Sequence, residues 1–290
     1  MDVGIGLPST IPGVGGDRLL GWARRAEARG FSSLGTIDRI VYDNFEPLIA
    51  LAAAAAVTER IRLATTILIA PCRANGALVA KQAASLDRLS NGRLVLGVAV
   101  GGRQDDYTAS GVEFRTRGRR FGEMLEQWQA IWAGESFGTA GAIGPRPARQ
   151  RPALMVGGGA DVVFERVAAY GDGWVMGGGS PDQFSQGAEK LRRAWEARGR
   201  EGAPQTLALA YFALGDRAEQ AADSYLRDYY AFLGEYAGTV ADSAAKDAAT
   251  IRQYVEGFAA AGCDELVLFP CDPDPAQVDL LADAIGPRQA

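Results

Sequence analysis

The sequence predicts an α/β fold: one (β/α)8 TIM barrel that takes up residues 1–290 as a single domain. Three observations predict it. Short β-branched or apolar runs alternate with longer segments of helical period along the whole chain, the pattern of parallel strands joined by crossover helices. Eight such runs can be counted, which is the number that closes a barrel, with an open doubly wound sheet as the structural alternative. A chain of 290 residues with 48% hydrophobic content can bury one large core, and barrels of about 250 residues form one domain.

The eight runs are Val3–Leu7, Ser33–Ile37, Ile61–Ile69, Leu94–Val100, Ala153–Val156, Trp174–Met176, Thr206–Phe212 and Leu266–Phe269. After the first, Asp17 is placed to cap a helix that turns Leu19, Trp22, Ala23 and Ala26 to one face, and Gly30 stops it. The Ala-rich helix Pro47–Val57 offers a small-residue surface suited to close helix packing. Between Arg117 and Ala133, Phe121, Met124, Leu125, Trp128, Ile131 and Trp132 recur at helical spacing, which marks a core face and not a cofactor stack. From Gly134 to Pro152 the chain is rich in Gly, Pro and Arg and has no apolar period, so it reads as an ordered strap or a lid beside the fifth strand. Ser180-Pro181 with Gln183 has the form of a capping box, and Asp274-Pro275 with Gln277 repeats it. The stretch Ala218 to Ala261 reads as two helices, broken near Gly234–Gly238.

Composition narrows the chemistry. A formal net charge of −5 gives no basic footprint for nucleic acid or an anionic membrane, so a small-molecule substrate is the expected partner. The start MDVGIGLP has neither a basic nor an apolar leader region, and no long charge-free apolar stretch follows, so a cytoplasmic location is expected. The three cysteines, Cys72, Cys263 and Cys271, form no C-x-x-C pair and read as buried free thiols; no metal site is expected. Histidine is absent, which removes Ser-His-Asp hydrolysis and imidazole acid/base catalysis. Lysine occurs only at Lys81, Lys190 and Lys246, all in helical patterns, which disfavours a Schiff-base aldolase or a phosphate-dependent isomerase.

In a barrel of this kind the active groups come from the loops after the C-terminal ends of the strands. That rule selects Asp38, Arg39 and the residues through Asp43; Pro71-Cys72-Arg73; Gly101-Gly102-Arg103; Gly157-Gly158-Gly159; and Gly177-Gly178-Gly179. Each triple glycine follows a strand and precedes a helix, so bare backbone N–H groups and a helix N-terminus can converge on a phosphate; a tight turn alone is the other reading. Asp38 and Arg39 form either a surface ion pair or polar contacts with a ligand.

The stretch from GFSSLGTIDRIVYDNFEPLIA through NGRLVLGVAVGG, and then GVEFRTRGRRFGEMLEQW, ALMVGGG, AYGDGWVMGG and AAGCDELVLFP in order, resembles the bacterial luciferase-like monooxygenases and their deazaflavin-dependent relatives. The resemblance implies a flavin or deazaflavin ring lying across the strand ends. By position, Thr65, Thr66 and Ile67 would flank it, where relatives often carry a strained non-proline peptide and a bulge, with Ala99, Gly101 and Gly102 alongside. Gly157, Gly158, Gly159, Gly177 and Gly178 would hold the phosphate. Asp38 and Arg39 fall where relatives carry an acidic residue followed by histidine, so they are the catalytic candidates. Arginine can stabilise developing negative charge but cannot act as an imidazole does. The sugar-phosphate dehydrogenases of the family carry a glutamate where this chain has Gly102.

The leading expectation is therefore a two-component monooxygenase that takes reduced FMN from a separate flavin reductase and oxidises a small organic substrate with O2, within a homodimer. The alternative is hydride transfer with coenzyme F420. That coenzyme carries a polyanionic tail and would favour a basic groove at the mouth, for which Arg39, Arg73, Arg103 and the Arg146–Arg151 loop are the available cations. A further alternative is a flavin-binding barrel without catalysis.

Overall fold

The computed structural model describes residues 1–286, and it closes the eight strands into a parallel barrel in sequence order. The strands are β1 (Asp2–Gly6), β2 (Ser33–Thr36), β3 (Arg62–Ile69), β4 (Leu94–Ala99), β5 (Ala153–Gly157), β6 (Gly173–Met176), β7 (Gln205–Phe212) and β8 (Glu265–Pro270). The helices are α1 (Gly16–Ala28), α2 (Pro47–Ala55), α3 (Gly76–Leu89), α4 (Gln104–Ala109), α5 (Arg117–Ala133), α6 (Asp161–Tyr170), α7 (Pro181–Ala197), α8 (Ala218–Tyr229), α9 (Tyr236–Asp242), α10 (Ala248–Ala260) and α11 (Ala276–Ile285). β1 pairs with β8 through Val3 and Leu266, so the sheet has no free edge. No helix among the described residues is long and apolar enough to cross a membrane.

Two apolar layers result. The outer one lies between the strands and the ring of helices and contains Trp22, Leu51, Trp128, Phe164 and Leu281. The six residues expected on one face of α5 are all buried, and the indoles of Trp128 and Trp132 donate to the carbonyls of Gly76 and Ala80 on α3 at 2.8 and 3.0 Å. The inner layer fills the barrel. Phe269 occupies space that only glycine leaves on the neighbouring strands: a Cβ on Gly6 would lie 2.3 Å from its ring, and one on Gly35 2.8 Å.

The Ser180–Gln183 capping box forms as expected. Several local expectations are corrected. Gly15, not Asp17, is the N-cap of α1, and Asp17 sits in its first turn. The box expected at Asp274 does not form: the Gln277 side chain is buried, where it accepts from the Leu214 N–H and donates to the Leu214 carbonyl, so it cannot reach back to its own helix start. The region 218–261 holds three α-helices, because a short 3-10 turn at Ala231–Leu233 and the glycines beside it separate α8 from α9. Lys246 lies in the turn before α10 and pairs with Glu219 at 2.8 Å.

The 134–152 segment is a strap on the N-terminal face of the barrel, not a lid over the mouth. Ala148 N–H donates to Asp87 at the C-terminal end of α3, the Lys81 ammonium holds the Gly144 carbonyl, and Arg151 pairs with Asp172 just ahead of β6. The arginines of this strap are thus remote from the C-terminal mouth, and the basic groove considered for it receives nothing from them.

Candidate functional site

The mouth at the C-terminal strand ends has two unlike halves. Over β1, β2, β7 and β8 lies a roof made by α8, the 3-10 turn and α9, inserted between β7 and α10. Its Tyr225, Leu226 and Tyr229 join Ile37, Tyr211, Phe269 and Cys271 in one buried cluster. Over β3 and β4 a smaller buried cluster forms from Ile69, Cys72 and Tyr107, and the loops after β5 and β6 present glycine.

Asp38 and Arg39 both belong to the roofed half and are 5% and 6% exposed. They do not pair with each other. The Asp38 carboxylate accepts from the Ile69 N–H at 2.7 Å and from both terminal nitrogens of Arg73 at 2.6 and 3.2 Å, which ties the β2 loop to the β3 loop. Burial works to lower the pKa of Arg73, but the facing Asp38 carboxylate and its hydrogen bonds outweigh that and hold the guanidinium above the ordinary range.

The Arg39 guanidinium is wedged between the rings of Tyr42 and Tyr229, 4.9 and 5.2 Å from their centroids, and donates to the carbonyls of Tyr229 and Val41. Its Nε lies 3.7 Å from Asp106 Oδ2, and neither of these buried atoms has a hydrogen-bond partner. The other oxygen of Asp106 accepts the N–H groups of Ile40 and Val41 at 2.9 and 2.8 Å. Burial, and then the neighbouring Arg103 charge, lower the pKa of Arg39, but an arginine remains charged at working pH. Arg103 pairs with Asp105 and lies 4.2 Å from the Phe232 ring at the tip of the roof.

In the open half, the Thr66–Ile67 peptide is cis, and the β3–β4 register shifts between Thr65 and Leu68. The resemblance implied a strained non-proline peptide and a bulge at this place. The Thr65 hydroxyl donates to Gly97 O and the Thr66 hydroxyl to Thr36 O, so both side chains are satisfied internally, whereas Ile67 stays partly exposed. Ala99 is buried beneath it. Gly101 adopts φ +65° against Ile69, and a Cβ on Gly102 would meet nothing within 4 Å.

Gly158, Gly159, Gly177 and Gly178 line a cleft of about 410 Å³ together with Trp174 and Lys190. Gly158 and Gly178 need positive φ, +126° and +119°, but Gly159 and Gly177 do not, and a Cβ on either would meet nothing within 4 Å. The fold therefore does not demand glycine at 159 or 177; open space is left there. The two helix starts at this cleft also differ. Ser180 and Gln183 close the N-terminus of α7, whereas α6 follows Ala160 without any side-chain cap, with Asp161 in its first turn and the Val163 N–H bonded to Ala160 O. Lys190 pairs with Asp161 across the cleft at 2.8 Å. This bare, uncapped surface fits a phosphate group. A second groove, of about 430 Å³, lies on the roofed side between Ile11, Tyr42, Tyr225 and Asp272, and of the strand-end residues selected from sequence it contains Tyr42 alone.

The three thiols are buried and free. Burial pushes Cys72 up to about 11, and its Sγ–H donates to Ile69 O. Among the described residues no cluster is arranged to hold a metal.

Sequence reasoning missed Asp106, Tyr229 and Lys190. The bond from Arg39 to Tyr229 O spans 190 residues, so nothing local announces it. Asp106 carried a signal, three positions beyond the Arg103 already selected, but an acidic residue in a first helical turn reads as a cap. Lys190 was set aside because its spacing is that of a helix, without regard to where that helix starts.

Residues 1–262 match the luciferase-like monooxygenase family. An uncharacterised protein of Mycobacterium tuberculosis is 34% identical over 208 residues, which covers 61% of this chain and 71% of that one. Among solved structures, an F420-dependent secondary alcohol dehydrogenase superposes with a TM-score of 0.79 at 18% identity, covering 99% of both chains. The oxygenating constituent of 3,6-diketocamphane monooxygenase from Pseudomonas putida, a type II Baeyer-Villiger enzyme in complex with FMN, gives 0.73 at 17% identity, covering 97% of this chain and 96% of that one. At such identities the two structures are alike in fold alone.

Proposed function

The chain belongs to the luciferase-like monooxygenase family, which includes FMN- and F420-dependent oxidoreductases, and on that premise we propose that it is the oxygenating component of a two-component system. It takes reduced FMN from a separate flavin reductase and oxidises a small organic substrate at the barrel mouth. One observation carries this reading: the open cleft at Gly159 and Gly177, where neither backbone conformation nor packing calls for glycine, lies beside the uncapped start of α6.

Each half of the mouth then has a task. The backbone of Gly157, Gly158, Gly159, Gly177 and Gly178 holds the single phosphate. Ile67, with Ala99, Gly101 and Gly102, lies along the ring, and Thr65 and Thr66 fix the bulge that presents Ile67. When bound, reduced FMN supplies the two electrons with which one oxygen atom of O2 goes to the substrate and the other to water. Arg39, locked by Tyr42, Tyr229 and Asp106, contributes a fixed positive potential where negative charge develops. Asp38 acts as a positioning residue by holding Arg73 and the β3 loop. The aromatic roof keeps water away from the reacting atoms.

The preference for FMN over F420 rests on the cations. Arg39, Arg73 and Arg103 are each engaged in internal ion pairs or stacks, and the strap arginines lie on the opposite face. F420 is favoured by one observation. The 3-10 turn before α5 and the first turn of α5 carry exposed Arg115 and Arg119 near the β3 loop, to which Arg120 is bonded, and a polyanionic tail could follow them. A homodimer would use the exposed side of α2, where Ile49 is 63% exposed.

Equilibrium titration with oxidised FMN and oxidised F420, followed by assay with each reduced form, tests the assignment. Tighter binding of FMN and turnover with it are expected. Binding and turnover with F420 alone would reverse the choice of cofactor.

A further inference from the structure

The glycine loops after β5 and β6 offer a phosphate only neutral groups. A backbone N–H carries a partial charge, whereas a phosphate monoester carries about −1.5 to −2 charges at neutral pH. A cation beside the cleft answers that charge, and of the side chains lining the cleft only that of Lys190 is cationic. Packing fixes where Lys190 starts. Trp174 on β6 donates its indole N–H to Gly158 O at 2.7 Å and stacks on Phe184 of α7. One turn further along α7, a Cβ on Gly187 would lie 2.3 Å from the same indole, so helix and strand are in direct contact and Lys190, a turn later again, leaves α7 beside the glycine loops. Its ammonium crosses the cleft to Asp161 Oδ1 at 2.8 Å, in the first turn of α6. The two side chains are 53% and 82% exposed, so their pair contributes little to stability and can open without loss of the fold.

We propose that Lys190 binds the phosphate of the cofactor and that Asp161 is the resident anion it leaves to do so, which keeps the affinity of the cleft moderate. The inference rests on the reading of this cleft as the FMN phosphate site. In a two-component system the flavin arrives reduced and departs oxidised, so the site must release it as readily as it takes it. Asp161 works toward that end in two ways. Its bond to Lys190 has to open before the ammonium turns to a phosphate, and the freed carboxylate then remains at the edge of the cleft as a like charge. Both effects disappear when residue 161 is neutral, so binding of a phosphate monoester tightens. Loss of the Lys190 cation has the opposite sign. A ligand with the same ring and no phosphate is indifferent to both changes.

The chain contains only the lysines Lys81, Lys190 and Lys246, so the ammonium itself serves as the probe. The full chain is acetylated with N-hydroxysuccinimidyl acetate, and peptide mass spectrometry follows each lysine. Lys81, exposed and bonded to Gly144 O on the opposite face of the barrel, is the internal reference. Saturating FMN should slow acetylation of Lys190 several-fold, and inorganic phosphate alone should do the same at higher concentration. Riboflavin should not, and the rate at Lys81 should stay constant throughout. In equilibrium titrations Asp161→Asn should lower the Kd for FMN several-fold and Lys190→Met should raise it several-fold, with riboflavin affinity unchanged in both variants. Lys190 acetylated at the same rate with and without FMN and phosphate, or FMN bound no more tightly by Asp161→Asn, overturns the proposal. The backbone phosphate site survives that outcome if the unaltered protein still prefers FMN to riboflavin. Equal affinity for the two flavins overturns the phosphate reading itself and this inference with it. Should neither flavin bind, protection of Lys190 by inorganic phosphate decides: its presence upholds the assignment and its absence removes it.

Discussion

The two halves of the mouth solve the same problem, how to end a barrel, by opposite means. The roofed half is closed with side chains that arrive from distant parts of the sequence: Arg39 from the β2 loop, Asp106 from α4 and Tyr229 from α8 meet in one buried knot. The half over β5 and β6 is finished with backbone, and the groups it offers are N–H donors and empty space. A site built from side chains is costly to disturb, because every member leaves a partner unsatisfied. One built from glycine can be altered with little loss of stability, and its loss shows in binding.

That contrast can be broken first on the roofed side. Asp106 is fully buried, and Asp106→Ala would strand two backbone N–H groups and remove the charge nearest Arg39. A loss of about 3 kcal/mol in unfolding free energy by denaturant titration is expected. A loss below about 0.5 kcal/mol would show that the knot does not hold the roof.

A second effect comes from the thiols. Burial pushes Cys72 from the ordinary value of 9.0 to about 11 and Cys263 to about 12, so the folded state favours the protonated thiols. The sign follows: this contribution is fully present below pH 9.0 and is lost as pH rises through about 11. Stability measured across that window should fall by roughly 5 kcal/mol for the two thiols together, and Cys72→Ser should remove about half of that slope.

On the glycine side the expected effects move from stability to binding. Gly178→Leu places a side chain at φ +119° in open space, which should cost about 1 kcal/mol of stability but weaken FMN binding at least about tenfold. Gly159→Ala has neither strain nor contact to contend with, so stability should stay within about 0.5 kcal/mol while FMN affinity still drops measurably. A Gly159→Ala protein that lost stability and kept its affinity would reverse the assignment of that half.

The same contrast explains what the sequence made legible. Strand positions came within a residue of the structure at each end, because buried parallel strands are short apolar runs between glycine-bearing turns. The glycine loops could be found because their signal is local, three residues between a strand and a helix. The burial of Asp38 and Arg39 could be expected from position, but not their separation into two ion-pair systems, since Arg73, Asp106 and Tyr229 are brought to them by the barrel. The strap at 134–152 was misplaced for a related reason: composition marks a loop but not which face of the barrel it crosses. Gln277 was misassigned because a capping pattern is also a pattern that can turn its amide into the core.

The account's central claim is that the open half recognises a phosphate through bare backbone. Calorimetric titration of FMN against riboflavin, which carries the same ring without the phosphate, measures that contribution directly in the unaltered protein and in Gly178→Leu. The account predicts that FMN binds at least about tenfold more tightly than riboflavin, and that the substitution erases the difference while leaving riboflavin binding nearly unchanged. Equal affinities for the two ligands in the unaltered protein would contradict it.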